Sequence, residues 1–204
     1  CSTGSTPEAG MWAVPSKGID PMTGNEIFIT KDNSYTFSWN ANDERVCGDS
    51  TPDVEGYFGT SAYYKGFSFN ISFQYRYGGQ AFLSTLFNKV ENISSDDLYW
   101  NQDKRALYDR WQKPGDIAKF KRIDDTSVTN MSSRFIADEN TLQCRSISVG
   151  YETTTASWLN SIGASAFNVR IYMEDIFRLS TIKEERGTDY PFQRAISASL
   201  GLRF

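Results

Sequence analysis

The sequence contains no histidine. This absence excludes Ser-His-Asp and Cys-His catalysis, and it excludes the common zinc sites that use histidine. Cysteine is scarce as well, because only Cys1, Cys47 and Cys144 are present and no two of them form a CxxC pair. No other group of residues forms a catalytic constellation. We therefore predict that the chain is not an enzyme, with no catalytic site, no metal site and no cofactor.

The sequence also lacks a basic excess and a long apolar run. Its 21 Lys and Arg against 25 Asp and Glu give a formal net charge of -4, which offers no electrostatic footprint for nucleic acid. We predict no nucleic-acid partner. No segment approaches the roughly 18 apolar residues that a membrane-spanning helix needs. That excludes helical spans only, because the strands of a membrane barrel give a much weaker hydropathy signal.

Aromatic residues are abundant, at 15% of the chain, and many of them alternate with polar residues. The stretch FSFNISFQYRY, residues 67–77, places a large apolar side chain at every second position and Ser, Asn, Gln or Arg between them. This period predicts a β-strand with two unlike faces. The preceding GYFGTSAYY and the Lys65-Gly66 pair complete a predicted hairpin with a two-residue turn. The fold class is predicted to be all-β.

Similar but weaker patterns predict the remaining elements. In the segment TLQCRSISVGYE the alternation slips at Arg145-Ser146, which predicts a β-bulge. Residues 78–140 form a long irregular segment with one predicted helix, Asp103 to Gln112. The other predicted strands are Met11 to Val14, Glu26 to Thr30, Tyr35 to Trp39, Ala166 to Glu174 and FQRAISASLGLRF at residues 192–204.

The same alternation fits either a soluble sandwich, whose aromatic face is a core, or an outer-membrane barrel, whose aromatic face meets lipid. The connections alternate between short, at Lys65-Gly66, and long, at residues 78–140 and 175–191. Membrane barrels alternate short periplasmic turns and long outer loops in this way. Tyrosines near the ends of the apolar face and a strand ending on Phe204 also favour the barrel. Arg194 falls on the lipid phase near the outer end of its strand, where it could reach lipid phosphates.

The phase of each strand then assigns its side chains. The residues predicted to face lipid are Phe67, Phe69, Ile71, Phe73, Tyr75, Tyr77, Leu200, Leu202 and Phe204. The residues predicted to face the lumen are Asn70, Gln74, Arg76 and Arg170.

Several collinear stretches resemble the C-terminal portion of the SusC/RagA family of TonB-dependent outer-membrane transporters from Bacteroidetes. The resemblance covers nearly the whole chain, and its motifs are specific in combination. They are GIDPMTGNEIF (18–28), VCGDSTPDVEGYFGTSAYYKGFSFNISFQYRYGGQ (46–80), DRWQKPGDIAKFKRI (109–123), SSRFIADENTLQCRSISVGYE (132–152) and MEDIFRLSTIKEERGTDYPFQRAISASLGLRF (173–204).

The resemblance implies a plug-and-barrel importer of about 22 strands, of which residues 1–204 would supply only about five C-terminal antiparallel strands with long extracellular loops. Five strands cannot close a barrel, and the plug and the TonB box are not in the sequence, so we expect a fragment. The implied partners are a SusD-like lipoprotein lid, TonB-ExbB-ExbD through the missing N-terminal part, outer-membrane lipid, and the barrel assembly machinery, for which Phe204 would be the C-terminal signal. The implied cargo is glycans or other oligomeric nutrients, including peptides.

Two groups of residues carry further hypotheses. Tyr99, Trp100, Tyr108 and Trp111 lie in the longest predicted outer loop, where they could contact the substrate or the lid, or pack the loop against itself. Cys47 and Cys144 both map near the outer rim, where a disulfide between them and two free thiols are both compatible with the sequence.

A different class of function is compatible with the sequence as well. The chain could be a soluble surface β-module that binds glycans and carries a lipid on Cys1, since Cys1 followed by STGS resembles the start of a bacterial lipoprotein.

Overall fold

The structure is a computed structural model that describes residues 9–94, 96–183 and 195–204. Antiparallel β-strands dominate it, which confirms the all-β fold class. The chain divides into two compact units. The first unit comprises residues 1–52 and 79–138, and the second unit comprises residues 53–78 and 139–204. Cys1, Arg194 and residues 184–191 of a predicted loop lie outside the described residues.

The first unit contains two small sheets. Strand β1 (Gly10–Ala13) pairs with β5 (Arg45–Asp49), and β3 (Glu26–Ile29) pairs with both β2 (Ser16–Ile19) and β4 (Tyr35–Thr36). The predicted strands near residues 11, 26 and 35 are therefore confirmed, although the third is short. Strands β2 and β5 were not predicted, because turn-forming residues such as Gly, Asp and Ser are frequent in the segments around them.

Long segments of this unit are irregular but folded. The helix predicted over Asp103 to Gln112 is wrong in length, since α1 comprises only Arg105–Tyr108. The helix ends before Asp109 because the backbone of the next residue, Arg110, forms an isolated β-bridge with Phe120. Four further short turns of helix lie at Ala41–Asp43, Leu86–Glu91, Asp97–Tyr99 and Ser133–Phe135.

A small aromatic core holds these segments together. The rings of Phe82, Phe87 and Phe135 contact one another, with centroids 5.1 to 6.3 Å apart. Val90 and Phe120 are buried in the same cluster. Burying each such side chain stabilises the fold by about 1.5–3 kcal/mol, so the irregular segment predicted from the sequence is a packed structure.

The second unit is built on one five-stranded antiparallel sheet, in which each strand neighbours the next along the chain. Strands β7 and β8 also include residues of the first unit. Strand β9 continues to Ser180, so the prediction that a loop begins at Asp175 is wrong. Helix α2 (Ser157–Ser161) occupies the connection between β8 and β9. The strands are β6 (Val54–Tyr64), β7 (Phe67–Phe82), β8 (Ile136–Thr153), β9 (Ala166–Ser180) and β10 (Ile196–Arg203).

The predicted hairpin is confirmed. Tyr64 lies opposite Phe67, which leaves a two-residue turn at Lys65 and Gly66. Both turn residues have positive φ, 48° and 90°, as the tight turn of a twisted hairpin requires. The backbone N–H of Glu152 donates to the Gly66 carbonyl at 2.8 Å, so the turn is also bonded to β8.

The predicted bulge is also confirmed. The β8–β9 register shifts between Cys144 and Ser146, leaving Arg145 without a directly paired residue. Asp175 on β9 adopts a φ of 46° at this point, and its carboxylate lies 3.4 Å from the Arg145 guanidinium. The bulge restores the alternation of β8, since apolar side chains occupy even positions before it and odd positions after it.

Candidate functional site

One face of the five-stranded sheet is apolar and largely uncovered. The paired residues Phe58 and Phe73 stack with ring centroids 5.0 Å apart, and the ring of Phe67 contacts that of Tyr151 at 4.6 Å. Most members of this face are exposed although they are large and apolar. The exposed members on β7 and β10 that were predicted to face lipid are Phe67, Phe69, Tyr77, Leu200 and Leu202, while Ile71, Phe73 and Tyr75 are partly buried.

This apolar face extends across the whole sheet. On the strands beyond the hairpin it continues through exposed Val149, Ile171, Leu179 and Ile196. Phe204, after the end of β10, is exposed too. A contiguous apolar surface of this extent marks contact with lipid or with another protein, because single exposed apolar residues are ordinary but a continuous sheet of them is not.

The opposite face is polar and bonded across strands. Ser72 and Ser146 share a hydrogen bond of 2.7 Å between their hydroxyls, and the Asn70 amide donates to Ser148 at 3.1 Å. The Gln74 amide donates to Glu55 at 2.7 Å. The Arg76 guanidinium lies on the same carboxyl group at 3.8 Å.

Arg170 lies on this polar face, opposite Ser199 and Gly150. It lines a shallow cleft of about 380 Å³ together with Ser68, Glu152 and Asn168. The four residues predicted to face a lumen therefore share one face of the sheet. Their facing toward water inside a barrel remains a prediction.

The four aromatic residues of the long segment in the first unit fall into two classes. Tyr99, Trp100 and Tyr108 are 90%, 77% and 74% exposed, which leaves their rings available for contact. Trp111 is only 9% exposed. Its indole N–H donates to the Pro21 carbonyl at 2.8 Å, and its ring packs so closely on Gly24 that no side chain fits there. Trp111 therefore packs the segment, and only the other three remain candidates for ligand or partner contact.

A buried ionic cluster organises the first unit, and sequence reasoning missed it. The Arg134 guanidinium donates to Glu91 at 2.7 Å and to Glu26 at 2.9 Å, and all three side chains are buried. Burial alone would lower the pKa of Arg134, but hydrogen bonds and charge from Glu26 and Glu91 raise it above its ordinary value. Arg134 thus keeps its charge, and its hydrogen bonds tie β3 to segments far along the chain.

Arg110 anchors the same region through backbone groups. Its guanidinium donates to the carbonyls of Val90 at 2.5 Å and Glu91 at 2.7 Å. Burial lowers its pKa, and the charge of Glu91 opposes that shift. No single residue in the motif DRWQKPGDIAKFKRI signals this role, because the acceptors are main-chain atoms that have no signature in the sequence.

The sequence allowed either a Cys47–Cys144 disulfide or two free thiols, and the structure shows neither. Cys144 is a free thiol and its side chain is fully buried, opposite Phe177 on β9. Cys47 is disulfide-bonded, so its sulfur is not available to Cys144. A pairing between two cysteines this far apart in sequence depends on tertiary placement, which spacing does not encode.

Within the part of the chain that the structure describes, no helix has both the length and the apolar character needed to cross a membrane. The same residues contain no group of three or more His, Cys, Asp or Glu side chains placed to hold a metal ion.

Comparison with solved structures identifies similar folds. No protein-family model matches the chain, and no curated protein matches it in sequence. The structure resembles a chain of the RagAB peptide importer in its open-open state, with a TM-score of 0.71 and 16% identity over 86% of this chain and 19% of that one. A RagAB peptide transporter structure gives a TM-score of 0.68 and the closed-closed importer gives 0.66, at the same identity and over 85% of this chain. This chain spans about a fifth of the length of those chains, and the likeness shows a shared fold.

Proposed function

We propose that the second unit is part of the wall of an outer-membrane β-barrel importer. One observation carries this proposal: the sheet has a continuous exposed apolar face, and its other face is polar and hydrogen-bonded. The importer chains with similar folds support it, since each of them belongs to a transport protein. Transport, and not catalysis, is the function that these observations favour.

Lipid explains the apolar face better than a protein core does. A sandwich would cover such a face with a second sheet, yet Leu200, Ile171 and Phe67 stay exposed within the described residues. The strands are also long: β7, β8 and β9 contain 16, 18 and 15 residues. A tilted strand needs about 9–11 residues to cross a bilayer, so each of these could cross and extend beyond it.

Further barrel strands would complete the structure. β6 and β10 are the outer strands of the described sheet, and each has only one neighbour. An open strand edge in lipid leaves backbone groups unpaired, at several kcal/mol for each group. We therefore propose that residues 1–204 are the C-terminal segment of a longer SusC/RagA-like transporter, in which other strands pair with these edges.

The proposed partners are those that the resemblance to the SusC/RagA family implies. They are a SusD-like lipoprotein lid, TonB-ExbB-ExbD acting on an N-terminal part of the longer protein, and the barrel assembly machinery, which would recognise Phe204. The proposed cargo is an oligomeric nutrient, either a glycan or a peptide. Tyr99, Trp100 and Tyr108 are the exposed side chains of the first unit that we propose contact the lid or the cargo.

Nitroxide labels at adjacent positions test the membrane placement. Leu200→Cys and Ser199→Cys point to opposite faces of β10. In protein reconstituted in bilayers, we expect the label at 200 to collide with dissolved oxygen and the label at 199 to collide with a water-soluble nickel chelate. Equal access of the nickel chelate to both labels would refute the lipid-facing assignment and would favour the lipidated surface module.

Alanine substitutions test the aromatic contacts. Trp100→Ala and Tyr108→Ala should each reduce uptake and lid association, because aromatic residues commonly supply more than 2 kcal/mol at the centre of an interface. Ile117→Ala is the control, since this side chain is also exposed in the same unit but has no ring. Unchanged uptake and lid association in both aromatic variants would remove these residues from the proposed contact.

A further inference from the structure

Two connections and the end of β10 lie together at one end of the five-stranded sheet. The Gly66 carbonyl of the hairpin turn accepts a hydrogen bond from Glu152, near the end of β8, and α2 follows in the β8–β9 connection. The Ser165 N–H, at the close of that connection, donates to the Arg203 carbonyl at 2.6 Å. These bonds define what we call the turn end of the sheet.

The strands are staggered at the turn end. One row across β7, β8, β9 and β10 is formed by Phe67, Tyr151, Val169 and Leu200. β7 begins in this row at Phe67, whereas β10 is paired as far as Arg203, three residues beyond Leu200. Three residues are roughly 10 Å along a strand, and the three strand spacings from β7 to β10 are roughly 14 Å across the sheet. Strands tilted by roughly 35°, as in membrane barrels, would bring these staggered ends to one depth of a bilayer.

Exposed apolar side chains extend the apolar face of the sheet onto α2. The ring of Trp158 packs edge-on against Phe167 of β9, with centroids 5.2 Å apart. Trp158 and Ile162 are four positions apart, so they lie on one side of the helix, and they are 45% and 50% exposed. Leu159 is buried, so the helix is packed and its exposed side is fixed. The apolar face therefore continues past the ends of the strands.

The exposed rings at the turn end carry polar tips. In the middle of the face the exposed side chains include Phe69, Val149 and Ile171, which have no polar atom. At the turn end, Tyr64 and Trp158 are exposed and carry an O–H and an N–H group. No described residue accepts a hydrogen bond from either group. Rings with an apolar body and a polar tip are typical of the boundary between the hydrocarbon and the headgroups of a bilayer.

We propose that Tyr64, Trp158 and Ile162 form a headgroup surface, which contacts the headgroup region of a phospholipid bilayer. The ring of Trp158 and the side chain of Ile162 lie at the edge of the hydrocarbon, and the indole N–H donates to phosphate or ester oxygens. Lipid is the occupant because this surface continues the apolar face through the contact of Trp158 with Phe167. The inference rests on the barrel wall proposed above and adds a depth to it, since α2 then lies along the membrane surface.

Fluorine NMR of tryptophan tests the depth of α2. The protein is labelled with fluorotryptophan and reconstituted in phosphatidylcholine bilayers, and Trp158→Phe identifies the resonance of residue 158 by its loss. We expect a nitroxide attached to the lipid headgroup to broaden this resonance strongly, and a nitroxide at the end of the acyl chain to leave it sharp. The same lipids with their nitroxides chemically reduced are the control and should broaden nothing.

The other outcomes separate this inference from the barrel wall. Broadening by neither nitroxide would show that water or another protein covers α2, and equal broadening by both, or broadening by the chain-end nitroxide alone, would place α2 inside the hydrocarbon. Each of these results would overturn the headgroup surface. A label at position 200 that still collides with oxygen would then keep the barrel wall in the bilayer. A label at 200 that the nickel chelate reaches would refute the wall and the headgroup surface together.

Labels on the two sides of α2 provide a second measurement that leaves Trp158 in place. Ile162→Cys, at the end of the helix, lies on the side of Trp158, and Asn160→Cys, two positions from Trp158, points away from it. We expect the ratio of oxygen collisions to nickel-chelate collisions to be higher at 162 than at 160. The mobility of unheated samples on gels confirms that each variant is folded. Equal ratios at the two positions would overturn the assignment of this side of the helix to lipid.

Discussion

At the scale of single residues, Arg134 should matter more to stability than any other cation of the first unit. It neutralises two buried carboxylates, those of Glu26 and Glu91. Arg134→Met would leave both charges buried without their partner, and removing one member of a buried ionic group costs about 3–5 kcal/mol. We expect a loss of this size in the free energy of unfolding, measured by denaturant titration with tryptophan fluorescence.

Arg122 provides the matched control for that measurement. It forms an ion pair with Asp124 in which both side chains are more than a third exposed. Exposed pairs contribute about 0–1 kcal/mol, so Arg122→Met should change stability little. Similar losses in the two variants would mean that burial of the cluster does not set its energetic importance.

Asp20 gives a prediction about pH. The Thr23 hydroxyl donates to its carboxylate at 2.6 Å, and this bond, with the N–H groups of Met22 and Thr23, holds the pKa of Asp20 below its ordinary value of 3.8. A pKa lower in the folded than in the unfolded state means that protonation favours unfolding. The stabilisation is therefore complete above pH 3.8 and disappears as the pH falls through the folded-state pKa. NMR titration of the Asp20 carboxyl should give a midpoint below 3.8 that rises in Thr23→Val, while an unchanged midpoint would contradict the role of the hydroxyl.

Individual residues also show where sequence reasoning stops. The alternation in FSFNISFQYRY predicted which side chains share a face, because the period of a strand is fixed by its backbone. Trp111 and the exposed Trp100 have the same polar, irregular surroundings in the sequence, and only tertiary contacts separate them. Glu26 carried no signal at all, since its partner Arg134 is 108 positions away in the sequence.

At the scale of elements, the hairpin turn is the clearest case in which local chemistry sets geometry. Gly66 has a φ of 90°, and a Cβ at this position would meet the Glu152 carbonyl oxygen. Gly66→Ala should therefore reduce stability by more than about 1 kcal/mol through backbone strain and steric clash together. Lys65→Asn should increase stability by a few tenths of a kcal/mol, because asparagine tolerates the φ of 48° found there. The folded fraction in urea, read from the mobility of unheated samples on gels, checks both changes, and a stabilising Gly66→Ala would contradict the turn geometry.

The elements of the second unit were easier to predict than those of the first. Strands β6 and β7 and the bulge in β8 have strong period-two patterns, and the structure places them as expected. Residues 78–138 are held in place by packing around Phe135 and by ion pairs with Arg134, and these contacts produce no periodic pattern in the sequence. A segment whose stability depends on long-range contacts leaves no local signature, so its sequence predicted only a long loop.

At the scale of the whole molecule, the proposed membrane placement makes the two faces of β10 energetically unequal. Leu200 lies on the apolar face and Ser199 on the polar face, one residue apart. In a bilayer, Leu200→Arg should lower the free energy of unfolding by about 2–4 kcal/mol if the position is near the midplane, because no water or anion is available to the charge. Ser199→Arg puts the same charge, one position away, on the face proposed to meet water and should cost about 1 kcal/mol or less, including its repulsion from Arg170 on the paired strand.

The pair distinguishes lipid from a protein core by its dependence on the medium. The cost of Leu200→Arg should change when bilayers of different hydrocarbon thickness are used, since a thinner bilayer brings the charge nearer to its surface and to water. A protein-covered face would give the same cost in every bilayer and in lipid-free buffer. A cost of Leu200→Arg that is the same in every bilayer would therefore contradict the proposal that the sheet is part of a barrel wall. A cost that becomes smaller as the bilayer becomes thinner would establish that the apolar face of the sheet meets lipid.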